Sequence, residues 1–348
     1  MQHSGAADPQ WGLTPTERSA LDPVLDSALH GTPAPLATSV RRVLVGGKRL
    51  RASLTIAAAG QRGRSPLPPA VLSAAAAVEL MHCATLVHDD VIDDAPSRHG
   101  QPTINARDGV SQAILGGDLL IAVSLRLASA AGAEAAALMA ETLGRLCVGQ
   151  SLEGTLRFRA AAGEADVLAV ARAKTGSLLG AAARLGAMVA GFDAITVEAL
   201  DTFGTAFGTS LQLIDDVLDL ASTDALLGKP VLADFPAGTV SLPAVVALSG
   251  SAELRGLLRA GLTPAEQDRA AHLLRESGGV GYSVRQAARE ADAAESALLE
   301  VAERQAGRNA EALTALARWP RLYLDTQIRN RTDPRFAELT ALDAVSAG

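Results

Sequence analysis

His88-Asp89-Asp90-Val91-Ile92-Asp93-Asp94 closes a long, mostly apolar stretch that begins near Val71. Further along, Gln212-Leu213-Ile214-Asp215-Asp216-Val217-Leu218-Asp219 repeats the pattern. Each contains Asp-Asp-x-x-Asp inside a helix-patterned segment. At 100° per residue, Asp89 and Asp93 point within about 40° of each other, as do Asp215 and Asp219. Like charges so spaced repel, and unpaired carboxylates beside buried residues are costly. A counter-cation answers both. Hard oxygen ligands with room for water and phosphate oxygens suit Mg²⁺. Two clusters therefore suggest one diphosphate clamped from both sides by several metal ions. A single such motif also fits an acidic, solvated helix end. Its repetition, each time before a Gly/Pro-rich loop, favours a site.

The chain around these clusters reads as helix almost throughout. It has 348 residues, enough for a sizeable core. Ala, Leu, Arg and Glu abound, aromatics are 3%, and alternating β-branched runs are scarce. A net charge of −7 argues against a nucleic-acid partner. Cys83 and Cys147 are the only cysteines, and both are expected to be buried thiols in a reducing compartment. The polar N-terminus has no signal-peptide pattern. The longest apolar stretches are interrupted by Glu79, His82 and Arg184, so no membrane span is expected. A cytoplasmic location follows, with peripheral membrane contact left open.

Residues 1–12 read as a disordered tail, and 13–348 as one all-α domain. Thr14-Pro15-Thr16-Glu17 opens a first helix with a cap. Gly46-Gly47-Lys48 leads into a helix reaching about Gly60, and Arg62–Pro69 is a loop. The spacing predicts a long helix from Val71 to about Asp94, then helices near 110–130, 133–160, 165–192 and 195–221. Thr223–Thr239 is expected to be loop. Helices resume near Leu242, with breaks near Gly261, Gly278–Gly281 and Pro320.

Positive and dipolar groups accompany the clusters. Lys48 and Arg51 form a cationic group beside a glycine turn, where the backbone can approach phosphate and Arg offers a planar fork. A solvated basic helix start would look the same. His82 lies within about 20° of the face bearing Asp89, although a lone helical histidine is often a satisfied core residue. Lys174-Thr175-Gly176 interrupts an apolar helix, which suits a kink with donors turned inward or a lysine reaching for solvent. Gln212 stands three residues before Asp215 and could offer a dipole beside a metal. Lys229, in a Gly/Pro loop, could cap a diphosphate or be an ordinary loop lysine.

With these residues in view, the chain resembles the trans-isoprenyl diphosphate synthases, the polyprenyl synthetase family. The likeness runs from about Gly46 to Pro243. It rests on Gly46-Gly47-Lys48-Arg49-Leu50-Arg51, both aspartate clusters, Arg98-His99-Gly100-Gln101-Pro102-Thr103, Gly117-Asp118, Lys174-Thr175-Gly176 and Gly228-Lys229-Pro230. The resemblance implies an all-α bundle around a deep central cavity, and a homodimer. It implies that Asp89, Asp93 and Asp215 hold Mg²⁺, three ions per site, with Asp90, Asp216 and Asp219 in support. Arg98, Lys174 and Lys229 would contact the allylic diphosphate. Lys48, Arg51, His82 and, in place of a usual arginine, His99 would bind isopentenyl diphosphate. Thr175 and Gln212 would place oxygen dipoles near the developing cation. A histidine at 99 puts binding of the second diphosphate in doubt and makes it pH-dependent. Gly238-Thr239 replaces a frequent Gly-Lys, so one phosphate contact is missing. Ala84 and Thr85, with Met81 one turn back, make a small cavity floor, which resembles synthases of C20 or longer products. Ala84→Phe is expected to shorten the product.

The reading is thus a prenyltransferase joining isopentenyl diphosphate to an allylic prenyl diphosphate. Two alternatives stand beside it. A class I terpene cyclase shares the aspartate motif but needs only one diphosphate site, and a regulatory subunit of a heteromeric synthase would be expected to lose aspartates.

Overall fold

The protein is described from a computed structural model, which covers residues 11–98, 100–227 and 231–340. The expectation of an all-α fold is met. In chain order the first helices are α1 (Pro15–Ser27), α2 (Ala34–Val43), α3 (Leu50–Ala58) and α4 (Pro69–Ile92). A two-stranded ribbon follows, β1 (Ser97–Arg98) and β2 (Gln101–Pro102), antiparallel with Arg98 opposite Gln101. Then come α5 (Ile104–Asp108), α6 (Val110–Ser129), α7 (Ala133–Leu156) and α8 (Glu164–Ala171). A π-helical turn (Arg172–Gly176) joins α8 to α9 (Ser177–Ala190), which is followed by α10 (Ala194–Ala221) and α11 (Asp224–Leu227). The remainder is α12 (Leu242–Gly250), α13 (Ala252–Leu257), α14 (Pro264–Glu276), α15 (Gly279–Ala302), α16 (Arg308–Ala317), α17 (Trp319–Arg331) and a 3₁₀ segment (Pro334–Thr340).

Local chemistry explains most boundaries. Thr14 Oγ1 accepts the Glu17 N–H while the Glu17 carboxylate accepts the Thr14 N–H, and Pro15 supplies the preset φ of a first turn. The same box, Thr263 with Glu266, opens α14 after Pro264. Gly278, at φ 76°, breaks the chain between α14 and α15, whereas Gly279 and Gly281 lie within the first turn of α15. Several features depart from expectation, among them α5, the two-stranded ribbon and Trp11, which is 1% exposed although it falls in the expected tail. Helix α2 was not foreseen, and Thr223–Thr239 contains the one-turn α11. Cys147 is exposed, because α7 turns Leu146 inward and its neighbour out; Cys83 is buried as expected.

The chain forms two compact units. The first comprises residues 1–144, 178–204 and 297–317. Its core packs Leu21, Val40, Ile56, Leu80, Val87 and Leu120, with α4 against α6 and Ser124 Oγ donating to Ala77 O at 2.7 Å. The second comprises residues 145–177, 205–296 and 318–348. One of its cores gathers Val217, Phe235, Leu248, Leu274 and Val280. Another gathers Leu168, Leu213, Ile214, Leu218 and Leu324. Helices α4 and α6 are long and apolar enough to cross a membrane by length and composition. The most apolar window of α4 is 67% buried in protein, that of α6 only 33%.

Candidate active site

The first aspartate cluster ends α4 in the first unit. Asp89 is half-buried, and Asp93 caps the helix, its N–H donating to Asp89 O at 2.9 Å. Asp90 points the other way, into protein, at 5% exposure. There Arg98 Nε donates to Asp90 Oδ1 at 2.8 Å. The ribbon bearing Arg98 turns at Gly100 (φ 73°), and the loop beyond it is tied back to the helix end. Asn105 Nδ2 donates to Asp90 O and to Ala95 O, each at 3.2 Å, and Thr103 Oγ1 donates to Ala95 O at 2.7 Å. His88 is placed by α6: Nε2 lies 3.6 Å from Asp118 Oδ1 and 3.4 Å from Ile114 O. Gly117 makes that room, since a Cβ there would sit 2.1 Å from His88 Nε2.

The basic loop lies in the same unit. Lys48 is exposed at its tip, while Arg51, in the first turn of α3, is half-buried. His82 is half-buried on α4, and the Thr85 hydroxyl donates to its carbonyl at 2.8 Å. Of the three residues expected to floor a cavity, Met81 and Ala84 are fully buried and Thr85 is half-buried.

The second cluster ends α10 in the second unit. Asp215 is exposed, Asp216 half-buried and Asp219 buried. The expected kink at Lys174-Thr175-Gly176 is a π turn, a local widening often found at functional sites. It brings the Thr175 hydroxyl to Gln212, donating to Oε1 at 2.7 Å. The other end of that amide donates from Nε2 to Asp216 Oδ1 at 2.9 Å. Lys174 Nζ is paired with the Glu153 carboxylate of α7. Asp219 faces the following loop, where Ala233 N–H donates to Oδ1 at 3.4 Å and Leu232 N–H to its carbonyl at 2.9 Å.

The Asp216 carboxyl is held well above the ordinary carboxylate range, first by desolvation and then by the negative charge of Asp234. Asp215 and Asp219 push the same way, and the Gln212 hydrogen bond opposes them. Among the described residues, no three His, Cys, Asp or Glu side chains converge into a preformed metal cage. His99 and Lys229 lie outside the described residues.

Two contributors were missed at the level of sequence. Glu153 sets the position of Lys174, and Asp234 adds charge beside Asp216. Both are tertiary neighbours, and no spacing signal links them to the motifs.

The profile of the polyprenyl synthetase family matches residues 34–276. The nonaprenyl diphosphate synthase of Mycobacterium tuberculosis is 40% identical over 240 residues, 68% of this chain and 71% of that protein. Heptaprenyl diphosphate synthase component 2 of Geobacillus stearothermophilus is 37% identical over 233 residues, covering 66% and 72%. In structure, the polyprenyl synthase of Caulobacter crescentus, solved with calcium and isoprenyl diphosphate, superposes with a TM-score of 0.77 at 30% identity, covering 87% of this chain and 93% of that one. The chain belongs to the polyprenyl synthetase family and is a prenyl-group transferase.

Proposed function

We propose that the chain is a Mg²⁺-dependent trans-prenyltransferase that condenses isopentenyl diphosphate with an allylic diphosphate into a linear all-trans polyprenyl diphosphate of C20 or longer. The observation that carries the metal-bound diphosphate is Asp216, crowded by three further aspartates and opposed, among the described residues, by the neutral Gln212 amide. A divalent cation relieves that crowding. Carboxylate oxygens suit Mg²⁺, which keeps waters and substrate phosphate oxygens in its shell. Asp89, Asp93 and Asp215 would hold the ions, three in all, with Asp90, Asp216 and Asp219 behind them. When bound, the metal supplies charge stabilisation for the departing pyrophosphate.

The remaining roles belong to side chains. Arg98, Lys174 and Lys229 bind the allylic diphosphate and stabilise the leaving charge. Lys48, Arg51, His82 and His99 bind isopentenyl diphosphate. Thr175 and Gln212 turn dipoles toward the allylic cation as its C–O bond breaks. The isopentenyl double bond then forms the new C–C bond, and the proton lost from that unit passes to the released pyrophosphate. The small side chains of Ala84 and Thr85 support a long product. So do the relatives named for nonaprenyl and heptaprenyl products.

The family match runs through both compact units, which supports one functional domain. Exposed Val110, Ile114 and Leu115 on α6 support a homodimer. A second reading is favoured by the relative named as component 2: the chain acts as one component of a two-chain synthase. A cytoplasmic enzyme touching membranes only for product release fits either reading.

The test is incubation with Mg²⁺, isopentenyl diphosphate and each of the C5, C10, C15 and C20 primers, with and without chelator, followed by product sizing. Linear products of C20 or more that vanish with chelator are expected. A cyclic hydrocarbon formed from one primer, without isopentenyl incorporation, overturns the proposal.

A further inference from the structure

Arg49 is buried between two more exposed cations, Lys48 just before it and Arg51 two residues after it. The loop curls tightly: Gly46 and Gly47 take φ 87° and 71°, and Arg49 itself takes φ 55°. That left-handed conformation is unfavourable for a residue with a side chain. Arg49 also occupies the position before α3, where Ser, Thr, Asp or Asn would normally accept an orphan helix N–H. Arginine has no acceptor to offer.

The missing acceptor comes from α4. Glu79 Oε2 accepts the Ala52 N–H at 3.4 Å, and Oε1 accepts from Arg49 Nη1 at 3.3 Å. Arg49 Nη2 turns back and donates to Leu44 O. The Arg49 and Glu79 side chains are only 4% and 6% exposed. From the other side, Leu13 N–H donates to Lys48 O at 3.3 Å and Arg18 Nη2 to Gly47 O at 2.9 Å. The Cys83 thiol, one turn along from Glu79, is pushed up to about 12 by burial and then by Glu79, with Arg49 and Arg51 opposing. Arg51 therefore reaches the same neighbourhood as the pair.

We propose that Glu79 and Arg49 are positioning residues that set Lys48 and Arg51 in register with His82. One carboxylate fixes both the start of α3 and the tightest residue of the loop to α4, three residues before His82 on the same helical face. Stability is a poor explanation for the pair, since a matched apolar pair often serves a core as well or better. Register is what it supplies. The proposal rests on assigning Lys48, Arg51 and His82 to isopentenyl diphosphate.

The experiment measures both Michaelis constants, turnover and melting for the full chain, for Glu79→Gln, for the double variant Arg49→Met/Glu79→Leu, and for Arg51→Gln as a check on the subsite. Glu79→Gln is expected to raise the KM for isopentenyl diphosphate about tenfold or more, with the allylic KM within about twofold. The double variant, which keeps the core filled if Glu79→Gln folds poorly, leaves no buried charge unpaired, so it should melt above Glu79→Gln, though it gives up the Ala52 cap, and still show the raised KM. A double variant with wild-type KM makes the pair simple packing and overturns the proposal. An equal rise in both constants also overturns it, since that marks general distortion. If Arg51→Gln raises the isopentenyl KM while the Glu79 variants do not, the positioning role fails and the subsite stands. If Arg51→Gln leaves that KM unchanged, the subsite assignment falls and takes the positioning role with it.

Discussion

Gly208→Ala should uncouple the π turn from the second aspartate cluster. Gly208 lies one turn before Gln212 on α10, against the backbone of Thr175 and Gly176. A Cβ at 208 would sit 2.7 Å from both Thr175 O and Gly176 Cα, and 3.0 Å from Gly176 N. None of these is the end of a flexible side chain. Ordinary contact needs about 0.8 Å more room. Moving the helix by that amount takes the Thr175–Gln212 hydrogen bond from 2.7 Å to the limit of a useful bond. Overpacking of this kind costs about 1–3 kcal/mol, and the lost bond adds about 1 kcal/mol. Replacing a helical glycine returns about 1 kcal/mol. The net cost is about 1–3 kcal/mol, and a 2 kcal/mol loss lowers the melting temperature of a unit this size by roughly 4–8 °C. Calorimetry and turnover on the same sample check it. Gly144→Ala, where nothing lies within 4 Å of the new Cβ, should be neutral or stabilising by up to about 1 kcal/mol. A Gly208→Ala protein that melts with wild type and turns over normally would falsify the claim that this contact is rigid.

Thr175→Val removes a single donor worth about 1 kcal/mol, so turnover should fall about fivefold while melting moves by no more than about 4 °C; unchanged turnover would show that the Gln212 amide holds its orientation unaided. Asp216 titrates above its usual range when folded, so its ionised form opposes folding. That penalty is absent below the ordinary carboxylate pKa, 3.8, grows as pH rises through the window up to the raised value, and is complete above it. Asp216→Asn should therefore melt above wild type at neutral pH in metal-free buffer, the gap closing toward pH 4, and a gap independent of pH contradicts this. Arg98→Ala leaves Asp90 buried without its cation, and urea unfolding should register about 1–3 kcal/mol of lost stability, part of it regained in Arg98→Ala/Asp90→Asn; a loss under 0.5 kcal/mol, the ordinary range of a surface change, would mean water replaces the guanidinium.

Features written in consecutive residues were legible before the fold was known. Both clusters stand where expected, at the last turns of α4 and α10, because an apolar period that stops at Asp and then meets Gly or Pro marks a helix end. The lysine, threonine and glycine of the π turn announced a break by their chemistry within an apolar run. Features joining distant residues were illegible. Nothing near Glu79 indicates that it caps α3, and nothing near Glu153 indicates that it holds Lys174. Helix α2 is short and opens among prolines, and its apolar face is clear only once Leu21 and Ile56 are packed with it. Cys147 failed for a simpler reason: a helix with an apolar composition still has an outer side, and one residue of rotation decides who occupies it.

The two clusters share a spelling and differ in chemistry. In the first, the middle aspartate is matched by a full positive charge, Arg98 at 2.8 Å, and the loop that brings it is stitched down by Asn105 and Thr103. In the second, the middle aspartate meets a neutral amide, and a fourth carboxylate, Asp234, adds to the repulsion. On the proposed function, a proton and a divalent cation would compete at Asp216, and lowering pH favours the proton. The amide reports the outcome. Ionised Asp216 can only accept, so Gln212 must offer Nε2 to it, which leaves Oε1 for the Thr175 hydroxyl. Once protonated, the carboxyl becomes a donor and that order is no longer required. The polarity of the chain from Thr175 to Asp216 is thus fixed when Asp216 is ionised and free to reverse when it is protonated.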